Sequence, residues 1–300
     1  MTNASSVADT FEGLMRIGSL SLILLSCLGG CGPAPPATRP TDPAQWHPTP
    51  STPLRFNPQT AVRVHGFVVW IGPCPKAPPI EGWLRVDSKE ELRIFENPNQ
   101  LRLHGDSGRV EGAVVILEDV DASEAGPWSH PPVRVLVSDA GIRVAQGPYH
   151  RQTRVGFVRE GDLVDFVAED HGSHVLSLRG SEFFGMPLPR VGVSRRHRFT
   201  ERGVVEIFSA AYRPWHRAYL WVTPNPYGTT TNDRGEFTIE LVPPGEYRIR
   251  VWHPNSEILS YERDPNTGRV TRLRFGSPFT ASRHLLVRAG MDPVVLTLSK

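Results

Sequence analysis

Apolar and polar residues alternate with period two in several stretches after residue 60, the spacing of half-buried strands. Glu236–Leu241 sets Phe237, Ile239 and Leu241 on one face and Glu236, Thr238 and Glu240 on the other. Glu246–Trp252 repeats the pattern, with Tyr247, Ile249 and Val251 against Arg248 and Arg250. The link Val242-Pro243-Pro244-Gly245 carries turn chemistry, because Pro fixes φ and Gly permits positive φ. Folding the two runs back on each other predicts a hairpin pairing Leu241 with Tyr247, Ile239 with Ile249 and Phe237 with Val251. Glu240 then faces Arg248 on the wet side.

The same reading predicts strands at Val62–Trp70, Val110–Leu117, Val133–Val137, Arg154–Val158, Leu163–Val167 and His174–Leu178. It continues with Val204–Phe208, Ala218–Thr223, His284–Val287 and Val294–Leu298. Ile258–Arg263 and Arg269–Phe275 flank Asp264-Pro265-Asn266-Thr267-Gly268 and predict a second hairpin. Ser88–Phe95 predicts one short helix, because Ser88 and Glu91 have capping-box spacing. Short strands at regular intervals, with 29 Pro and 27 Gly for turns, give an all-β chain of sandwich type. At 300 residues two domains fit, expected at 61–222 and 223–300.

Residues 17–30, IGSLSLILLSCLGG, fall short of the roughly 20 residues a bilayer span needs and suit a secretory signal. The run ends Leu28-Gly29-Gly30-Cys31, which resembles a bacterial lipoprotein cleavage box. Cys31 is the expected lipidation site, with Cys27 as second candidate. Asp9 and Glu12 make an odd start to a signal, so Met15 is the expected first residue. Residues 32–60 follow as a linker, and 33–58 hold nine prolines, the composition of an extended tether. The chain is expected to be exported and lipid-anchored to a bacterial membrane, periplasmic or surface-facing, with its partner a protein or glycan of the envelope.

Charge narrows the partners further. With 33 basic and 31 acidic side chains the net charge is +2, which implies no polyelectrolyte partner. Arg263, Arg269, Arg272 and Arg274 make the second hairpin basic, read as a solvated strand face rather than a nucleic-acid surface. Cys74, in Gly72-Pro73-Cys74-Pro75, is read as a half-buried structural thiol, since no His or Asn pattern beside it supports a nucleophile.

Two segments resemble known families. Asn232–His253, NDRGEFTIELVPPGEYRIRVWH, resembles the carboxypeptidase-regulatory-like, transthyretin-like β-sandwich, an accessory module without catalytic residues of its own. Upstream, Val158–Val175, VREGDLVDFVAEDHGSHV, and Ala210–Val222, AAYRPWHRAYLWV, resemble the two copper-site motifs of a cupredoxin-like Greek-key domain. The resemblance puts His174 at the first copper ligand. It also implies that Cys has become Ala210, the second His has become Arg213 and Met has become His216. A blue-copper site needs a thiolate and two imidazoles, so the resemblance implies the scaffold with its copper site degenerate.

Residual histidines leave a metal reading open. His171 and His174 have H-x-x-H spacing and His216 is expected near His174, a set that suits weak copper or zinc. The structural alternative makes His171 a loop residue and His174 a partly buried residue on a backbone partner. His253 is read as structural and His150 as a surface residue. Trp215, Tyr219 and Trp221 are the aromatics available for carbohydrate stacking, with a core anchor the alternative for Trp215. No G-x-S-x-G, Walker or H-E-x-x-H motif occurs. The expected function is non-enzymatic binding or assembly without a cofactor, with metal or carbohydrate binding as the alternatives.

Overall fold

A computed structural model describes residues 56–86, 89–147 and 153–300. The apolar run, Cys27, Cys31, His150 and the proline-rich segment before residue 56 lie outside the described residues. The fold is all-β. The first strands are β1 (Val62–Ile71), β2 (Ile80–Val86), β3 (Lys89–Phe95), β4 (Arg102–His104), β5 (Arg109–Glu111) and β6 (Val114–Glu118). Then come β7 (Val133–Ser138), β8 (Gly141–Gln146), β9 (Val155–Arg159), β10 (Leu163–Ala168), β11 (His174–Gly180) and β12 (Phe184–Leu188). β13 (Ser194–Arg198), β14 (Gly203–Ser209), β15 (Arg217–Thr223), β16 (Gly228–Thr230) and β17 (Glu236–Val242) follow. The chain closes with β18 (Gly245–His253), β19 (Ile258–Arg263), β20 (Val270–Phe275), β21 (Phe279–Val287) and β22 (Val294–Ser299).

Four sheets make two sandwiches. In the first, β17-β1-β5-β4 with β22 alongside β1 faces β16-β6-β18-β21. Between them lies a core that includes Val64, Val68, Val115, Ile239, Ile249 and Leu296. In the second, β13-β10-β7-β8 faces β12-β11-β14-β15-β9 around Val135, Phe166, Leu176, Ile207 and Leu220.

The expected division into 61–222 and 223–300 does not follow this pairing. β1 pairs with β17 and β22, and β6 pairs with β16 and β18. Strands β1 and β4 to β6 therefore share sheets with strands from the last quarter of the chain, and β7 to β15 build the second sandwich between them. Residues 50–300 form one compact unit. β6 and β15 join the two sandwiches because each is buried on both faces. Val115 and Leu117 enter the first core, while Val114 and Ile116 meet Phe157, Tyr219, Trp221 and Trp252 in a seam. Burial on both faces accounts for the unbroken apolar runs in these two strands.

The predicted hairpin over 236–252 is an arch instead. β17 and β18 lie in opposite sheets, β17 against β1 and β18 against β6 and β21. Phe237, Ile239, Tyr247, Ile249 and Val251 do face one core, but across it rather than along a ladder. Leu241 has φ 55° and is 46% exposed, and Val242 takes the inward place. Glu240 pairs with Arg63 at 2.9 Å and Arg248 faces Asp119 at 3.7 Å. Alternation records which side of a strand is wet, and it does not record which strand lies next to it.

Lys89–Phe95 is a strand paired with β2 from Val86↔Lys89 to Ile80↔Phe95, not a helix. So short a helix is marginal alone, since isolated helices under about 12–15 residues are unstable in water. Pairing with β2 satisfies the backbone and stacks Phe95 on Trp215 at 3.9 Å. The second hairpin forms as predicted from β19 and β20, with Asp264 Oδ1 accepting from the amides of Asn266 and Thr267 at 2.9 and 2.8 Å. Cys74 is exposed rather than half-buried.

Candidate functional site

Three connections meet at one end of the second sandwich. They are Asp139-Ala140 after β7, residues 169–173 after β10, and residues 210–216 after β14. His174 opens β11 fully buried, and its Nε2 lies 2.6 Å from Asp170 Oδ1. Asp170 also accepts from the Gly172 amide at 3.0 Å and the Asp139 amide at 2.6 Å. Burial opposes ionisation of Asp170, but these bonds from His174, Asp139 and Gly172 outweigh it and hold the carboxyl below its usual range. With Asp170 ionised, Nε2 of His174 is the donor in this contact. The partner of His174 is thus a carboxylate, not the backbone group expected.

Asp139 ties the connections together. Its carboxylate Oδ1 forms an ion pair with Arg213 Nη2 at 2.6 Å. Its carbonyl accepts from Trp215 Nε1 at 3.1 Å and lies 3.5 Å from His216 Nε2. Arg213 Nη1 reaches the Ser173 and Ala211 carbonyls at 3.2 and 3.4 Å. Asp139 Oδ1, Arg213 Nε and His216 Nδ1 are buried atoms without a directed hydrogen bond among the described residues. His216 is fully buried with its ring 6.2 Å from that of His174. Burial first, and the Arg213 guanidinium second, push its pKa down to about 3, so the imidazole is neutral.

Gly172 supports the cluster through what it lacks. A Cβ there would sit 2.9 Å from His174 Nε2 and 3.0 Å from both Asp139 Oδ1 and Asp170 Oδ1. Only a residue without a side chain lets the connection pass that close.

The four positions implied by the copper resemblance do come together. Ala210 donates its amide to the Val175 carbonyl at 2.8 Å, Arg213 bonds Ser173, and His216 lies beside His174. The groups present do not fit blue copper. Ala210 offers a methyl group, and Arg213 sets a permanent cation among the donors. A different donor set exists, because Asp139, Asp170 and His174 each offer one ligand atom within 4.8 Å of the others. Asp170 had a signal in its i, i+4 spacing to His174. Asp139 had none beyond lying in a turn 35 residues earlier (174 − 139). His171 is exposed and outside this group.

The aromatics expected to stack on sugar are core residues. Trp215, Tyr219 and Trp221 are all buried. Trp215 anchors a small core with Ile80 and Leu273 that holds β2–β3 and β19–β20 over this end of the sandwich. Gly82 permits that approach, since a Cβ there would lie 2.0 Å from the Trp215 ring. His253 is buried with Nδ1 2.8 Å from the Pro254 carbonyl, and burial lowers its pKa to about 4.

No protein-family model and no curated protein matches the chain. Among solved structures it is similar to a purple cupredoxin from Nitrosopumilus maritimus at 16% identity and TM-score 0.23, over 30% of this chain and 98% of that one. It is similar to a copper-containing nitrite reductase from Thermus scotoductus SA-01 at 23% identity and TM-score 0.25, over 36% of this chain and 25% of that one. A reduced amicyanin variant matches at 16% identity and TM-score 0.25, over 36% of this chain and 98% of that one. TM-scores this low say nothing about the site, whose chemistry rests on the residues above.

Proposed function

We propose that the chain is a non-enzymatic, lipid-anchored protein of a bacterial cell envelope that acts in binding or assembly. The observation that carries this reading is the Arg213–Asp139 ion pair at 2.6 Å, lodged where an electron-transfer copper would need an imidazole. Asp170 is likewise spent on His174 and two amides. The end of the sandwich that resembles a metal site thus holds its connections together through internal charge pairs. The cleavage box at Cys31 and the proline-rich tether support the anchor, and the segment resembling a transthyretin-like module supports a spacer role. Mass analysis of the mature protein tests the anchor: an acylated Cys31 at its start is expected, and an unmodified chain retaining residues 15–30 would refute it.

A second reading has one specific observation in its favour. The donors of Asp139, Asp170 and His174 converge within 4.8 Å, and the neutral His216 beside them has no hydrogen-bond partner for Nδ1 among the described residues. A copper or zinc ion held there would have to displace Arg213 from Asp139. Calorimetric titration of Cu(II) and Zn(II) into the full chain separates the readings. Sub-micromolar binding that His174→Ala abolishes would establish the second, and its absence supports the first.

A further inference from the structure

A cleft of about 450 Å³ lies beside the capped end, between β2–β3, the connection 211–213 and β19–β20. Two aromatic rings stand at it, Tyr212 at 54% exposed and Trp83 at 41%. Tyr212 has φ 55°, a left-handed conformation that costs a residue with a side chain. Its ring stands out in solvent, with its hydroxyl donating to Asp264 Oδ2 at 3.4 Å. Trp83 is fixed from one side, because the Arg269 guanidinium lies 4.9 Å over its ring. Arg269 is in turn clamped by both oxygens of Glu90 at 3.0 and 2.6 Å. Both rings are therefore set in place before any ligand arrives.

The charges at the cleft cancel. Glu81, Glu90 and Asp264 face Arg213, Arg263 and Arg269, three against three, so a ligand of either net charge gains no field. What remains is apolar ring surface beside planar hydrogen-bonding groups. The Glu81 carboxylate has no ion pair or hydrogen bond among the described residues and is available as an acceptor. Rings with an apolar face and a rim of hydroxyls match such a lining.

We propose that this cleft binds a neutral pyranose unit of a glycan, its apolar face on Tyr212 and its hydroxyls donated to Glu81 and Asp264. The proposal rests on the reading of the chain as a binding protein and names its ligand class. It shares no donor with the Asp139, Asp170 and His174 cluster, so failure of the metal titration leaves it standing, and its own failure leaves the anchor and the ion pair untouched.

The test is calorimetry of the full chain with cellohexaose, xylohexaose, mannohexaose and chitohexaose as neutral probes, and an oligogalacturonate as an anionic one. At least one neutral probe is expected to bind with Kd below about 1 mM. Tyr212→Gly removes the ring while suiting the backbone, and should weaken that binding roughly tenfold or more. Glu81→Gln should weaken it too, and His174→Ala should not. The proposal is overturned if no neutral probe binds, if the anionic oligomer binds more tightly, or if Tyr212→Gly and Glu81→Gln leave affinity unchanged.

Discussion

The arch 236–253 and the connection 209–216 lie close in the chain and depend on distant partners in different ways. In the arch, Phe237, Ile239, Val242, Tyr247, Ile249 and Val251 face one apolar core, and the remote strands β1, β6 and β21 supply backbone pairing and apolar surface, with only part-exposed ion pairs such as Arg63–Glu240 and Glu118–Arg250 besides. Many sequences would serve there. In the connection, Arg213, Trp215 and His216 all reach one remote residue, Asp139, through its carboxylate and its carbonyl. Apolar burial tolerates a change of partner, whereas a partly buried guanidinium needs one particular carboxylate. Pattern alone therefore reads the buried face of the first region, though not its strand partners, and reads neither in the second.

The largest effects should come from the arch. Ile249→Ala is expected to cost about 2–5 kcal/mol in urea unfolding, since Ile249 is fully buried between the sheets. A loss well below that would mean the two sheets pack loosely there.

Acid should act next, through the buried histidines. His253 has its pKa lowered to about 4 and His216 to about 3, so the unfolded chain binds more protons than the folded one below the ordinary value near 6.5. Stability is then fully present above about pH 6.5 and falls as pH drops toward the folded pKa values. His253 alone should contribute a loss on the order of 3 kcal/mol by pH 4. Asp170 works in the same direction at lower pH, because its lowered pKa stabilises the fold only while it is ionised. Urea midpoints from pH 7 to 4 should fall steeply in the wild type and less in His253→Gln; equal slopes would contradict the burial argument.

Asp139→Ala should cost about 1–3 kcal/mol, less than a fully buried pair because Arg213 and Asp139 side chains keep 17% and 32% exposure. Asp139→Asn keeps a side-chain oxygen that can accept from Arg213 and should lose less. If both behave like an exposed surface change, Asp139 does not hold the connections.

The smallest effect separates arch from hairpin. A double-mutant cycle on Glu240 and Arg248 should give a coupling near zero, and one on Glu240 and Arg63 about 0.2–1 kcal/mol, as exposed pairs do. Reversed values would restore the hairpin.

Strands were legible because residue pattern is a local property, and β1, β7, β10, β11 and β14 fall where it puts them. The turn Asp264–Gly268 was legible because the Asp264 carboxylate caps its own turn and Gly268 takes positive φ without a side chain to oppose it. Partnership was not, which is why β1 and β6 were expected with the wrong sandwich and β17 with the wrong neighbour. At the site, His174 and His216 could be named from motif spacing. Asp139 could not, since nothing local marks a turn aspartate that will meet an arginine 74 residues on (213 − 139). Nothing local marks Tyr212, because positive φ and exposure are properties of the fold, while Trp215, the more conspicuous ring, is buried in the core.

The most direct test of the central claim, that the Arg213–Asp139 ion pair holds these connections together in place of any bound copper, is a Cu(II) titration by calorimetry. Wild type would be compared with the double variant Ala210→Cys, Arg213→His. No sub-micromolar binding is expected in the wild type, and tighter, visibly coloured binding in the variant, which regains a thiolate and a second imidazole beside His174. Sub-micromolar binding by the wild type that His174→Ala removes, or a variant no tighter than wild type, would contradict it.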